Sequence, residues 1–286
     1  EMLAGIVQGL IEKEGYPVEK ILGVGISLPG ILDKEGQTLV YSHALGLRNV
    51  PTEEFSRYIP FSCRFINDAN AAGLAEVRDL ESPRSLVYLS LSNSVGGAIL
   101  TGGALYGGDH LRAGEFGHNT LVPDGRPCYC GKKGCLDAYC SAKVLSRLTD
   151  GNLALFFDGL RSGDAALQTA WNEYLSYLAV AVNNLRMTFD CDVIVGGYVG
   201  GFLAEFGEPL REMLVERNTF EPDSSYLKPL RWEPLCSISK PSFRTYKPSH
   251  RGRHLPSSIF CTIPPLFPCA VLRIREKGLD FGCAVC

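Results

Sequence analysis

Gly114-Glu115-Phe116-Gly117-His118, then Cys128-Tyr129-Cys130-Gly131-Lys132-Lys133-Gly134-Cys135, is the stretch from which the rest of the chain is read. Its pattern is H-x9-C-x-C-x4-C, which puts four ligand-type side chains within 18 positions. Three thiolates and one imidazole form the donor set of a closed, tetrahedral structural zinc. Glycines between the ligands let a short loop fold back until several side chains meet at one ion. His118, Cys128, Cys130 and Cys135 are therefore expected to hold Zn2+; the plainer alternative is free buried cysteines beside a surface histidine. Glu115 shares a glycine-bracketed turn with His118, so a metal that clamps the histidine also orients the glutamate.

Composition narrows the class. A chain of 286 residues, 45% of them hydrophobic, is long enough to bury a large core and to form two lobes. A net charge of -3 and a pI near 6.0 give no overall basic field for nucleic acid. No apolar run is long enough to span a bilayer, and no signal-peptide pattern opens the sequence, so no membrane partner is expected. Of the 11 cysteines, three are claimed by the metal motif, and thiolate–zinc sites suit a reducing compartment. A cytoplasmic location follows. The sequence begins at Glu1 in what reads as mid-helix, so an N-terminal part is expected to be missing.

Outward from the motif, the elements follow by periodicity. Met2 to Glu14 sets Leu3, Ile6, Val7, Leu10 and Ile11 on one helical face that ends near Gly15. Ile21 to Leu28 reads as a buried strand stopped by Pro29-Gly30, and Ser27-Leu28-Pro29-Gly30 would lie at a sheet's carboxyl edge, where ligands dock in open α/β folds. A short strand from Cys63 to Ile66 runs into Asn67-Asp68-Ala69-Asn70-Ala71-Ala72-Gly73, which opens a helix. Either Asn67 or Asp68 can cap that helix, and Asp68 can also accept a proton from a substrate hydroxyl. Leu86 to Leu91 is a further strand, followed by Ser92-Asn93-Ser94 and a strand from Val95 that turns at Thr101-Gly102-Gly103. Gly96 and Gly97 give a weak phosphate-loop signal, since glycine pairs in hairpins are common for geometric reasons alone. Ser141 to Leu148 reads as helical. Asp164 to Asp190 is a long amphipathic helix with Ala165, Leu167, Trp171, Leu175, Leu178, Val182 and Leu185 toward a core. Val193-Ile194-Val195 is a buried strand, and Gly196-Gly197 opens the next helix.

Taken together, these pieces resemble the ROK family of bacterial sugar kinases and sugar-responsive repressors. The matching segments are Gly25-Ile26-Ser27-Leu28-Pro29-Gly30, Asn67 to Ala72, Gly114 to His118, the C-x-C-G-x-x-G-C knuckle and Val195-Gly196-Gly197, in the family's order over about two thirds of the chain. The resemblance implies an α/β protein of two-lobed actin-like (ribonuclease H-like) fold with a zinc knuckle, N-terminally truncated, and a sugar in the cleft. On it, residues 1–83 form a partial N-terminal lobe carrying the Asn-Asp turn, and 84–230 the C-terminal lobe with the knuckle. Asn67, Asp68, Glu115 and His118 would bind sugar hydroxyls. Asp68 would be the general base of kinase members, and His118 would give one ring nitrogen to zinc and the other to sugar. Asp137 stands where the family usually has Glu, so its ligand contact would be shorter or lost. Gly96, Gly97, Gly196 and Gly197 would face the nucleotide, although tight strand-to-helix packing explains the last pair equally well. A homo-oligomer is implied as well.

Two departures bear on activity. Kinase members carry an Asp-x-Gly-Gly-Thr phosphate loop that has no match in this sequence, and a Gly-Thr-Gly where it has Ser92-Asn93-Ser94. Side chains there would block the close backbone approach to phosphates that glycine permits. The main expectation is therefore the sugar-sensing part of a transcriptional repressor, reaching DNA only through a region before Glu1, and binding sugar without phosphorylating it. The alternative is a sugar kinase using ATP and Mg2+ with Asp68 as base. Residues 231–286 are rich in proline and cysteine and show no helical or strand period; they are expected to be an out-of-frame tail outside the fold.

Overall fold

The computed structural model describes residues 1–15, 17–77, 84–230, 269–276 and 279–285, the last two segments by their backbone. In chain order it begins with α1 (Met2–Glu14), β1 (Ile21–Leu28), β2 (Ile31–Leu32), β3 (Thr38–Ser42), β4 (Leu47–Pro51), α2 (Glu53–Ser56), β5 (Cys63–Asn67) and α3 (Asp68–Val77). There follow β6 (Leu86–Leu91), β7 (Val95–Thr101), β8 (Ala104–Leu105), α4 (Asp137–Cys140), α5 (Ala142–Ser146), α6 (Leu153–Arg161) and α7 (Ala165–Phe189). The chain then forms β9 (Asp192–Gly196), α8 (Gly197–Gly200), α9 (Leu203–Phe206), α10 (Glu208–Arg217), β10 (Leu227–Lys228), β11 (Cys269–Glu276) and β12 (Leu279–Val285). Two compact units result: Glu1–Ala75 with Pro234–Cys286, and Glu76–Glu233.

In the first unit, β1 is hydrogen-bonded on both edges. It runs parallel to β5, with Leu28 opposite Asn67, and antiparallel to β11. The face of α1 that carries Leu3, Val7, Leu10 and Ile11 is buried in one cluster with Val24, Ile26 and Leu28 of β1. Each such side chain contributes about 1.5–3 kcal/mol on burial, so the heptad-like spacing of α1 is held by tertiary packing rather than by propensity. Gly15 ends the helix in the left-handed region at φ 65 and returns its N–H to the Ile11 carbonyl. A separate three-stranded sheet has the order β2-β3-β4.

The expectation that no strand persists beyond residue 231 is corrected here. Strand β11 pairs with β1, and β12 pairs with β11, both antiparallel. The prolines that gave the region its character stop at Pro268, and a strand needs only an unbroken row of backbone N–H and C=O groups, which 269–276 supplies. The rest of the Pro-rich region lies outside the described residues.

The second unit is a five-stranded sheet of order β10-β9-β6-β7-β8, in which β6 is parallel to β9 and antiparallel to β7. Helix α7 lays Trp171, Tyr174, Leu175, Leu178, Val182 and Leu185 into its core. Asp164 caps its start by accepting the N–H groups of Ala166 and Leu167, and Asp190 ends it at φ 46. Ala165 differs from expectation: it is exposed, whereas Leu167 packs against the core. The helix expected over Ser141 to Leu148 is α5 followed by a 3-10 turn at Arg147–Thr149.

Gly97 carries a tight steric demand on β7. A Cβ there would lie 2.3 Å from the Phe116 ring, a rigid neighbour with no room to retreat. Overpacking of this kind costs about 1–3 kcal/mol. Gly97→Ala is therefore expected to lower the unfolding free energy by that much, read as a lower urea midpoint at unchanged m-value, and an unaltered midpoint would contradict the packing.

Candidate metal centre and sugar-binding turn

The metal loop hangs from β7 by close backbone contact. A Cβ on Gly114 would meet the Gly97 carbonyl at 2.5 Å, and one on Gly117 the Val95 carbonyl at 2.2 Å. The chain therefore lies flat on the strand, and a 3-10 turn over Phe116–His118 presents the histidine. Past Thr120 the chain folds back on itself through isolated bridges, Thr120 with Cys135 and Pro127 with Lys133. Cys128 N–H donates to the Lys132 carbonyl at 2.8 Å, closing the tight loop between the ligands. Gly134 turns at φ 78 directly against Val122, where any side chain would collide.

The ligand atoms of His118, Cys128, Cys130 and Cys135 all lie within 4.8 Å of one another. The thiols of Cys130 and Cys135 are 3.8 Å apart. Zinc–sulfur bonds of about 2.3 Å in a tetrahedron place two sulfurs about 3.8 Å apart, so this donor set fits zinc in number, chemistry and spacing. Burial pushes the Cys128 thiol up to about 12, with the neighbouring thiols adding to it. Burial also raises Cys135, whereas hydrogen bonds from the Lys132 N–H and the adjacent thiols outweigh burial at Cys130 and lower it.

Around the loop stand three further groups. Glu115 is exposed as a residue, yet desolvation raises its carboxyl above the usual range, and His118 pulls it part of the way back. The Tyr129 hydroxyl is 3.5 Å from His118 Nε2, while Nδ1 of that ring is shielded from solvent. Asp137 is buried; desolvation raises it, and the Val95 N–H that it accepts at 2.6 Å lowers it. Arg126 fastens the loop to α7: its guanidinium donates to Glu173 at 2.7 Å and lies over the rings of Tyr139 and Tyr177. Tyr129 and Arg126 were not singled out from sequence. Their only linear signal is nearness to Cys128.

In the first unit, parallel pairing of β1 with β5 brings Gly30 and Asn67 together at the strands' carboxyl ends. Asn67 Nδ2 donates to the Gly30 carbonyl at 3.0 Å, and Oδ1 accepts the Asn70 N–H at 2.9 Å, capping α3. Asp68 Oδ1 accepts the Ala69 N–H at 2.9 Å. Asn67 therefore caps the helix, and Asp68 is its first residue.

The glycines expected at a nucleotide have nearer partners. Gly97 faces Phe116, a Cβ on Gly196 would lie 2.1 Å from the Tyr88 hydroxyl, and Gly197, at φ 74, presses on the Leu91 backbone. Protein packing alone requires glycine at these three positions, so they do not argue for a nucleotide.

The sequence model of the ROK family matches residues 1–228. The chain belongs to the ROK family. An N-acetylmannosamine kinase of Escherichia fergusonii is 36% identical over 149 residues, which is 49% of this chain and 51% of that protein. The chain thus spans about half the length of the curated relatives it matches. A ROK hexokinase from Thermus thermophilus superposes with a TM-score of 0.55 at 27% identity, covering 76% of this chain and 74% of its own. A ROK transcriptional regulator, a homologue of the E. coli MLC protein, superposes at 0.60 with 20% identity, covering 76% of this chain and 60% of its own, and so shares the fold. The α/β fold is that of ROK actin-like proteins. Among the described residues, no helix is long and apolar enough to cross a membrane.

The metal loop makes two measurable demands. Purified ROK chain is expected to carry one zinc per chain by elemental analysis, and Cys130→Ser to lose it by opening one coordination position. Because the buried Cys128 thiol is protonated near neutrality, zinc uptake should release about two to three protons. Apparent affinity then falls as pH drops, by more than about a hundredfold per unit; a pH-independent affinity, or no zinc in the wild type, rules the site out.

Proposed function

We propose that this ROK chain phosphorylates a sugar hydroxyl, with an N-acetylated hexosamine of the N-acetylmannosamine type as the substrate class. The observation that carries this reading is the 36% identity to an N-acetylmannosamine kinase. It weighs against the repressor expectation, whose support is a likeness of fold at 20% identity. Asp68, at the carboxyl end of a parallel strand, is assigned the role of general base. Its carboxylate would take the proton as the sugar oxygen bonds to the terminal phosphorus of ATP and the bridging P–O bond to ADP breaks. Mg2+, when bound, neutralises charge on the phosphates. Asn67, Glu115 and His118 would orient the sugar through its hydroxyls, and the zinc loop would keep Glu115 and His118 in place. Reduced cysteines for that loop favour the cytoplasm.

A second reading is favoured by one feature. Ser92-Asn93-Ser94 occupies the hairpin turn between β6 and β7, where side chains restrict the approach of a phosphate to the backbone. On that reading the chain senses sugar without transferring phosphate, and contact with DNA belongs to a segment outside this sequence.

An ADP-release assay with N-acetylmannosamine, ATP and Mg2+ separates the two. Turnover is expected in the wild type and a loss of at least about a hundredfold in Asp68→Asn. No turnover alongside measurable sugar binding would sink the kinase reading and leave the sensor. Glu115→Ala is expected to weaken sugar binding about tenfold or more by calorimetry, since a buried hydroxyl left without its partner costs about 1–3 kcal/mol. Unchanged affinity removes Glu115 from the sugar contacts.

A further inference from the structure

We propose that Asp137 is a positioning residue rather than a sugar ligand. Its carboxylate pins the first residue of β7, and with it the Ser92-Asn93-Ser94 turn, to the metal loop. The family resemblance set Asp137 beside the sugar, but its side chain is only 5% exposed and Oδ2 accepts the Val95 N–H at 2.6 Å. A carboxylate accepting a backbone N–H is a charge-assisted bond, short and directional.

Val95 is held on its other polar group too. Gly117 packs so closely on the Val95 carbonyl that a Cβ would lie 2.2 Å from its oxygen. A third tie joins the same turn, where the Ala142 N–H donates to the Ser92 carbonyl at 2.8 Å. These grips come from both ends of the metal loop. Gly117 immediately precedes the ligand His118, and Asp137 follows the ligand Cys135 by two residues. A displacement of either ligand therefore reaches Val95 through one or two residues of chain and then one packing contact or hydrogen bond. The anchor stands on geometry alone. That the turn it fixes bears on phosphate approach rests on the kinase reading given above.

The shorter side chain also explains the departure from the family's usual Glu. From the start of α4, an aspartate oxygen already sits at hydrogen-bond distance from Val95, with no need of a further methylene. Asparagine keeps an acceptor oxygen of the same reach, whereas alanine keeps none. The two substitutions therefore separate an anchor from a charge needed by a ligand.

Hydrogen–deuterium exchange of the full chain reads the anchor directly. Asp137→Ala is expected to speed exchange across residues 93–97 at least tenfold while 192–196 stays protected, and Asp137→Asn to remain within about threefold of wild type. N-acetylmannosamine affinity in Asp137→Asn is expected within about threefold of wild type. Protection at 93–97 unchanged in Asp137→Ala overturns the proposal. So does a loss of sugar affinity in Asp137→Asn with protection intact, which would make Asp137 a sugar ligand. If Asp137→Ala does not fold, the wild type decides. Slow exchange at Val95 beside fast exchange at Asn93 and Ser94 supports the anchor, and equally fast exchange at all three defeats it. If the wild type binds no sugar, the substrate reading fails while the exchange data still judge the anchor.

Discussion

Close contact between the Gly114–Gly117 backbone and strand β7 is the constraint on which the second unit depends. Gly97 leaves room for the Phe116 ring, and Gly114 and Gly117 let the two backbones touch at Gly97 and Val95. With these glycines in place the 3-10 turn is fixed relative to the sheet, and His118 has one direction to face. Convergence of four ligand atoms within 4.8 Å follows from that placement and from the fold-back at Gly134. The convergence of these side chains thus rests on backbone packing as much as on the thiols.

Fastening of the loop continues on its outer side. Arg126 joins it to α7 through Glu173, Tyr139 and Tyr177, and its own N–H donates to the Tyr139 hydroxyl at 2.7 Å. The ion pair is exposed and so contributes little by itself, about 0–1 kcal/mol. Ring stacking and the backbone bond add direction to it. The loop is therefore held by the sheet on one side and by a helix on the other, with the metal ligands between.

One side chain of the first unit makes two structural bonds at once. Asn67 caps α3 and grips the Gly30 carbonyl with opposite ends of its amide. Both bonds orient the strand-to-helix turn that carries Asp68. A role for Asn67 in fixing that turn thus coexists with any contact to a sugar, and a substitution there would disturb both.

Sequence alone determined the local elements and the four side chains that converge, His118, Cys128, Cys130 and Cys135. The 3.6-residue spacing over α7, the apolar run of β1 and the glycine-flanked cysteines carry their own physical signal, because each depends on neighbours within a few positions. Nearly all of the metal loop was legible for that reason. Tertiary structure decided the partners that register sets. Val95 meets Asp137 across 42 residues, Arg126 meets Glu173 across 47, and Gly97 meets the Phe116 ring. It also decided that β11 completes the edge of β1, which the averaged composition of a Pro-rich region had hidden. A pattern of residue types states what a segment can bury or donate; which group it meets is fixed only when strand pairing brings distant segments into one register.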